Sequence, residues 1–312
     1  MANRETFEDW IPVETGSSAI QALVRASVTE RLGRPENMAS DTKQVPRSGN
    51  FAIAAVAKGA AYGETAGVND YVELIARKAG GVLRVAEEDL LDSSVDILST
   101  KRNDAARNMA TFFDNATLGT SGTENGTTIL YTSVYKAVRT NETNTGYTAD
   151  TNYVSGSATY DNLSSTLAKL EDSIWFDESQ IFVAASPAFK AAFRGIKDTQ
   201  GQPIFQQAMG AEGTPDRLFG YPVNWTLGAR VSGTNTQAPT GNPLLIIGNR
   251  DLLIKGMAKL SPTIASPNPG FALQRANSGV GFLTDEALLK AAMRRGFKVG
   301  AVPAFAVFEK TP

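Results

Sequence analysis

Neither cysteine nor histidine occurs anywhere in the 312 residues. The first absence excludes a disulfide framework, a thiolate nucleophile and a zinc site built on sulfur. The second removes the one side chain whose ordinary pKa lies near neutrality, and with it the Ser-His-Asp triad. An excess of one charge sign is also missing: 30 Lys and Arg face 32 Asp and Glu, a formal net charge of −2, so no global field draws the chain to nucleic acid. Long apolar runs are lacking too. Phe51 to Ala57 and Pro243 to Ile247 fall far short of the about 20 residues that cross a bilayer, so no membrane span is expected. The first ten residues, Met1 to Trp10, carry charge where a secretory signal needs an apolar core, which reads as a cytoplasmic start.

What is present is ordinary globular material, 42% hydrophobic and 20% charged, enough for one large or two modest cores. Motifs that carry chemistry are sparse. Ser133-Val-Tyr-Lys136 matches S-x-x-K formally, but no K-T-G accompanies it and coincidence is the better reading. There is no phosphate loop of the G-x-x-x-x-G-K-[S/T] kind and no spaced Asp/Asn calcium loop. Glu87, Glu88, Asp89 and Asp92 could attract a cation, although acidic residues at a helix start explain them better. A glycosidase needs only two carboxylates, and residue type alone does not exclude one. No catalytic, cofactor-binding or metal-ligating residue is therefore singled out. The basic pairs Lys101-Arg102 and Arg294-Arg295 lack an aromatic or basic surround, which argues against sequence readout of nucleic acid.

Along the chain, residues 1–16 show no period. Ser17-Ser18 can then cap a helix with Ile20, Leu23, Val24 and Val28 on one stripe, ending near Gly33. The stripe needs cover, and a neighbouring subunit serves as well as the same chain. From Val45 to Gly81 the period changes to two, with Phe51, Ile53 and Ala55 on one arm, Val72, Leu74 and Ala76 on the other, and Gly59, Gly63 and Gly67 at a loose tip. A two-stranded ribbon is marginal alone in water, so this long hairpin should lie on something else.

A strand from Val82 leads into acidic residues and a helix from about Ser93 to Thr117, capped by Asp92 or Ser93, with Asp96 at the positive end of its dipole and Gly119 as terminator. Its buried side would be Ile97, Ala105, Met109, Phe112, Phe113 and Ala116, and its length roughly 37 Å. Residues 119–162 read as a loop-rich boundary poor in core residues. An α/β stretch follows: a helix over 161–174 with Leu163, Leu167, Leu170 and Ile174 on one face, a strand over 180–185, and a short helix over 188–196. Strands are expected at 221–226, 244–248 and 252–259, then a helix over 284–295 and a closing strand over 304–309.

This order of parts resembles a known family. An N-terminal arm, a long hairpin, the run Ala79-Gly-Gly-Val-Leu-Arg-Val-Ala-Glu-Glu-Asp-Leu-Leu-Asp-Ser93 into a spine helix, Gly220-Tyr-Pro-Val223, and Val302-Pro-Ala-Phe305 are together similar to the major capsid protein of tailed bacteriophages, the Hong Kong 97-type fold. The likeness runs from about Ser17 to Phe308. It implies an α+β chain with an arm (1–44), an extended hairpin loop (45–81), a peripheral domain (82–126 and 246–299) and an axial domain (127–245 and 300–312). It also implies pentamers and hexamers of one sequence closing into an icosahedral shell around double-stranded DNA, with assembly in the host bacterial cytoplasm and residence in the virion. Packaged DNA would be touched weakly and nonspecifically along the inner face. A separate scaffold protein, a portal and a decoration protein are further partners that the resemblance admits.

Charged residues of the hairpin region, Arg47, Lys58, Glu64, Asp70, Glu73, Arg77 and Lys78, could set register between copies, and Ile20, Leu23 and Val24 could pack there; a solvated ribbon face is the plain alternative for any one charge. Some members carry a cleaved scaffolding segment before the arm, whereas here the arm begins almost at Met1. Some join a hairpin lysine to a neighbour's asparagine. Lys58 is well placed for that, but the stretch 284–295 offers no convincing Asn and Glu pair, so no cross-link is expected. An encapsulin-like compartment around an enzyme shares the architecture and is the alternative assembly; a carboxylate-based soluble hydrolase is the enzyme alternative.

Overall fold

The computed structural model describes residues 27–48, 53–59, 61–63, 70–93, 96–197, 217–258, 270–274 and 284–311. In chain order the elements are α1 (Val28–Leu32), β1 (Arg34–Met38), β2 (Thr42–Arg47), β3 (Asp70–Ile75), β4 (Arg77–Ala86), α2 (Glu87–Asp92), α3 (Ile97–Asp114), α4 (Val134–Val138), β5 (Tyr153–Gly156) and α5 (Tyr160–Glu171). They continue with β6 (Ile181–Ala185), α6 (Phe189–Gly195), β7 (Arg217–Leu218), β8 (Tyr221–Trp225), β9 (Leu244–Asn249), β10 (Leu253–Ala258), β11 (Gly270–Gln274), β12 (Glu286–Val299) and β13 (Phe305–Lys310).

Continuous apolar runs at 181–185, 244–247 and 305–308 can be satisfied only by strands covered on both faces. They form the middle of a six-stranded sheet in the order β5-β13-β9-β6-β8-β7. Alternate residues go to opposite cores. Leu244, Ile246, Phe305 and Val307 join the cluster that holds Phe113, Tyr131 and Phe297. Leu245, Ile247, Ala306 and Phe308 join the cluster under α5 and α6 with Leu163, Phe189 and Phe193. Of the expected stripe on α5, Leu163, Leu167 and Leu170 are buried, but the helix stops at Glu171 and Ile174 stands 85% exposed.

The second sheet has β12 at its centre, with β10 and β11 along one edge and β4 along the other, and β1 beyond β10. Here the structure overturns the helix expected over 284–295. The run Ala-Leu-Leu-Lys-Ala-Ala-Met-Arg-Arg is made of strong helix formers, yet β12 extends for 14 residues. Ala287, Leu289, Ala291, Met293, Arg295, Phe297 and Val299 all fall on the buried side, a spacing of two. Pairing along both edges outweighs a propensity worth tenths of a kcal/mol per residue.

The spine helix begins later than expected. A separate helix, α2, takes Glu87, Glu88 and Asp89 into its own first turn, and Asp96 caps α3 by accepting from the Ser99 amide at 3.0 Å. The α-helical part has 18 residues and spans roughly 27 Å before a π-turn over Asn115–Gly119. Of its expected buried side, Phe113 and Ala116 are buried, while Ile97, Ala105, Met109 and Phe112 remain half-exposed. Residues 119–162 also differ from a core-poor boundary: Ile129, Leu130, Tyr131, Val134, Tyr135 and Val138 are all buried. Their burial follows no sustained period because a single helical turn, α4, and the irregular chain before it plug the space between α3 and β13.

Candidate assembly surfaces

The hairpin leaves the body through β2 and β3, which pair antiparallel from Thr42↔Ile75 to Arg47↔Asp70. Alternation buries Val45 and Leu74 with Met38, Ile254 and Ala258, and Val72 is buried on β3 as well, so the root of the ribbon lies on the β1–β10 side of the second sheet. Ala76 closes the root by donating to the Asp41 carbonyl at 2.8 Å. The chain then changes sheet: residues 77–81, expected as the end of the hairpin, belong to β4 and pair with β12. Farther out, residues 53–57 form no strand, and Ile53 and Ala55 are exposed where alternation was expected; Phe51 and Gly67 lie outside the described residues. Ile53 is 89% and Tyr62 86% exposed, and Tyr71 on β3 is 56% exposed.

Where the hairpin meets the body, Arg47 joins three segments. Its guanidinium grips Asp70 with two bonds, Nε to Oδ1 at 2.8 Å and Nη2 to Oδ2 at 2.5 Å. Nη1 donates to Glu142 Oε1 at 2.7 Å and to the Gly300 carbonyl at 2.8 Å. Glu142 uses its other oxygen to accept from the Val302 amide at 3.0 Å and from Thr145 Oγ1 at 2.7 Å. Asn144 adds a bond to Asp70 Oδ2 at 2.5 Å. A two-pronged, charge-assisted grip of this kind fixes direction as well as distance. The hydrogen bonds from Arg47 hold the Asp70 carboxyl below the usual carboxylate range, and those to Asp70 raise Arg47 further still.

The root of the arm is anchored as firmly. Asp114, at the end of α3 and 1% exposed, accepts from Ser27 Oγ at 2.5 Å, from the Val28 and Thr29 amides at 3.0 and 3.1 Å, and from Thr226 Oγ1 at 2.6 Å. Burial pushes its pKa up, against the pull of those four donors. Glu30 of α1 accepts from Arg295 at 2.8 Å, and its carbonyl accepts from Lys255, whose pKa burial lowers. Arg295, one half of a basic pair in the sequence, is thus spent inside the chain, and its neighbour Arg294 bonds Asp41.

Between α3 and β4 runs an open groove of about 870 Å³, with Ala79, Val82, Leu83, Met109 and Phe112 in its walls and Lys78, Lys101 and Arg107 along its rim. Val82 is 58% exposed there. Ser133, the serine of the S-x-x-K match, is fully buried: it caps α4 by accepting from the Lys136 amide at 3.0 Å and donates to the Thr120 carbonyl at 2.5 Å. Its hydroxyl is committed to the backbone. Among the described residues no group of three acidic side chains converges to hold a metal ion, and no helix is long and apolar enough to cross a membrane.

The residues singled out from sequence fall into three sets. Arg47 and Asp70 meet each other in the cluster just described. Lys58, Glu73 and Lys78 are exposed, on the outer hairpin, β3 and β4 respectively, and Arg77 lies 3.8 Å from Glu124. Ile20, Leu23, Val24 and Glu64 lie outside the described residues. Sequence reasoning missed Glu142, Asn144 and Asp114. It missed Glu309 as well, which accepts from Tyr135 at 2.8 Å, Tyr153 at 2.6 Å and Asn242 at 2.6 Å. Despite burial, these bonds hold Glu309 below the usual carboxylate range.

An arm root, a projecting hairpin, a spine helix on a long-stranded sheet and a separate six-stranded α/β unit define the class: a viral shell subunit of the Hong Kong 97-type fold. The Phage capsid family profile matches residues 9–309, and the chain belongs to that family. No curated protein matches the chain. Among solved structures it is similar to a chain from Mycobacterium phage Ogopogo, with a TM-score of 0.72, 16% identity, and 99% and 100% of the two chains covered. For one from Microbacterium phage Oxtober96 the TM-score is 0.71 at 14% identity, with 97% of each chain covered. For the capsid of a native GTA particle it is 0.69 at 15% identity, with 98% of this chain and 97% of that one covered. The protein is a structural component of a phage capsid, and its place is the virion.

Proposed function

We propose that many copies of this chain assemble as pentamers and hexamers into an icosahedral shell enclosing double-stranded DNA. The observation that carries the reading is the hairpin: its root is pinned to the body by Arg47, while large apolar groups beyond the root, Ile53 and Tyr62, are left to solvent in the single chain. A two-stranded root is marginal alone in water, and a segment beyond it that exposes such residues gains stability by lying on another surface. A neighbouring copy supplies one, and covering neighbours by projecting segments spreads the contact area over several interfaces. Lys58, Glu73 and Lys78 are the exposed charges available to set register between copies. Contact with packaged DNA on the inner face is nonspecific and weakens with salt. Assembly takes place in the host cytoplasm, with or without a separate scaffold protein, and a portal and a decoration protein are further partners that the family resemblance admits.

Negative-stain microscopy of the full chain, expressed alone and with its phage's other head proteins, tests this. Closed icosahedral particles with five- and six-fold capsomers are expected. Small monodisperse particles under both conditions would overturn the reading, and cages filled with a host or phage enzyme would favour a compartment instead.

A further inference from the structure

The Arg47 cluster does more than close the base of a ribbon. Its members come from sequence positions 47, 70, 142, 144, 300 and 302, so one guanidinium ties the hairpin to the loop after α4 and to the turn between β12 and β13. That turn is where the chain passes from the second sheet to the six-stranded one. Arg47 is 11% exposed, with Asp70 at 20% and Glu142 at 22%, so the charges are screened less than surface pairs are. The loop depends on the same groups. Glu142 and Tyr147 exchange two backbone hydrogen bonds at 3.0 Å, and the Glu142 carboxylate holds Thr145 from inside that turn.

We propose that this cluster is a latch that couples the direction of the hairpin to the conformation of the 142–147 loop, so that neither moves without the other. Leverage gives the coupling weight. The chain between Arg47 and Asp70 can reach at most about 36 Å at roughly 3.3 Å per residue in each arm, so a turn of about 10° at the root carries a tip at that reach through about 6 Å. In a shell, a contact that displaces the 142–147 loop of one copy redirects that copy's hairpin toward its neighbour. This consequence rests on the shell reading; the latch itself is a property of the single chain.

Hydrogen exchange followed by mass spectrometry on the full chain tests it, with variants compared in the same assembly state. Arg47→Met is expected to speed exchange about tenfold or more in both 70–75 and 142–147, leaving 244–249 unchanged. Arg47→Lys, which keeps the charge without the fork, should give an intermediate effect. Glu142→Gln approaches from the other side and should speed exchange in 70–75, although the substitution lies outside the hairpin and reaches it through Arg47. Acceleration confined to the mutated segment in Arg47→Met and in Glu142→Gln would overturn the latch. If Arg47→Met does not fold, Glu142→Gln decides alone. Absence of shells would count against the shell reading only, since the exchange pattern is read on whichever form the chain adopts.

Discussion

Asp114, Glu309 and Arg47 each hold together segments far apart in the sequence, and each does so with nearly all of its hydrogen-bonding capacity. Asp114 takes four donors from α1 and the chain after β8. Asp114→Ala strands those donors in a dry interior and is expected to cost about 2–4 kcal/mol in denaturant unfolding of the unassembled chain, with Asp114→Asn costing less. Asp70 carries a pH dependence. Its folded pKa lies below the unfolded value of about 3.9, so its stabilising effect is fully present above that value and is lost as the pH falls through the folded pKa. Exchange protection of β2 and β3 should therefore decline below about pH 4, and Asp70→Asn should remove that dependence. None of these clusters was legible in the sequence. Arg47 and Asp70 were singled out as charges of a ribbon, but Glu142 lies 95 residues from Arg47 and carries no local pattern that would join them.

Elements were legible where one period dominated. The strands at 181–185, 244–249 and 305–310 announce themselves as apolar runs too short for helices, and Val72 and Leu74 alternate into a buried face as expected. β12 was not legible, because Ala, Leu, Lys, Met and Arg favour a helix locally and only the flanking strands reveal that every second side chain is buried. The strand makes a sharp comparison. Leu289→Ala, at a position 3% exposed, should cost about 2–4 kcal/mol, whereas Leu288→Ala on the half-exposed side should cost much less, both read from unfolding midpoints. Equal costs would contradict the strand. The plug over 129–138 was missed for a related reason: one helical turn is too short to show a period, and tertiary packing alone buries it.

At the scale of the whole molecule, the order of arm, hairpin, spine and α/β unit carried the family, and the fold agrees with it over nearly the full chain. What sequence order does not convey is how the parts are tied, since the ties are single side chains bridging sheets. The body is well cored on both faces of the six-stranded sheet, whereas the hairpin beyond its root and the groove beside α3 leave apolar groups in water. In the proposed shell, a subunit so divided between a finished interior and unfinished projections is completed by its neighbours. The chain lacks cysteine, so a photoreactive side chain or a single thiol can be placed in the hairpin without background. A photoreactive residue at position 58, activated in purified particles and read by denaturing electrophoresis and peptide mapping, should yield adducts between copies that climb toward pentamer and hexamer. Adducts confined to the chain's own body would show a hairpin folded back on itself, and draping over neighbours would then be wrong.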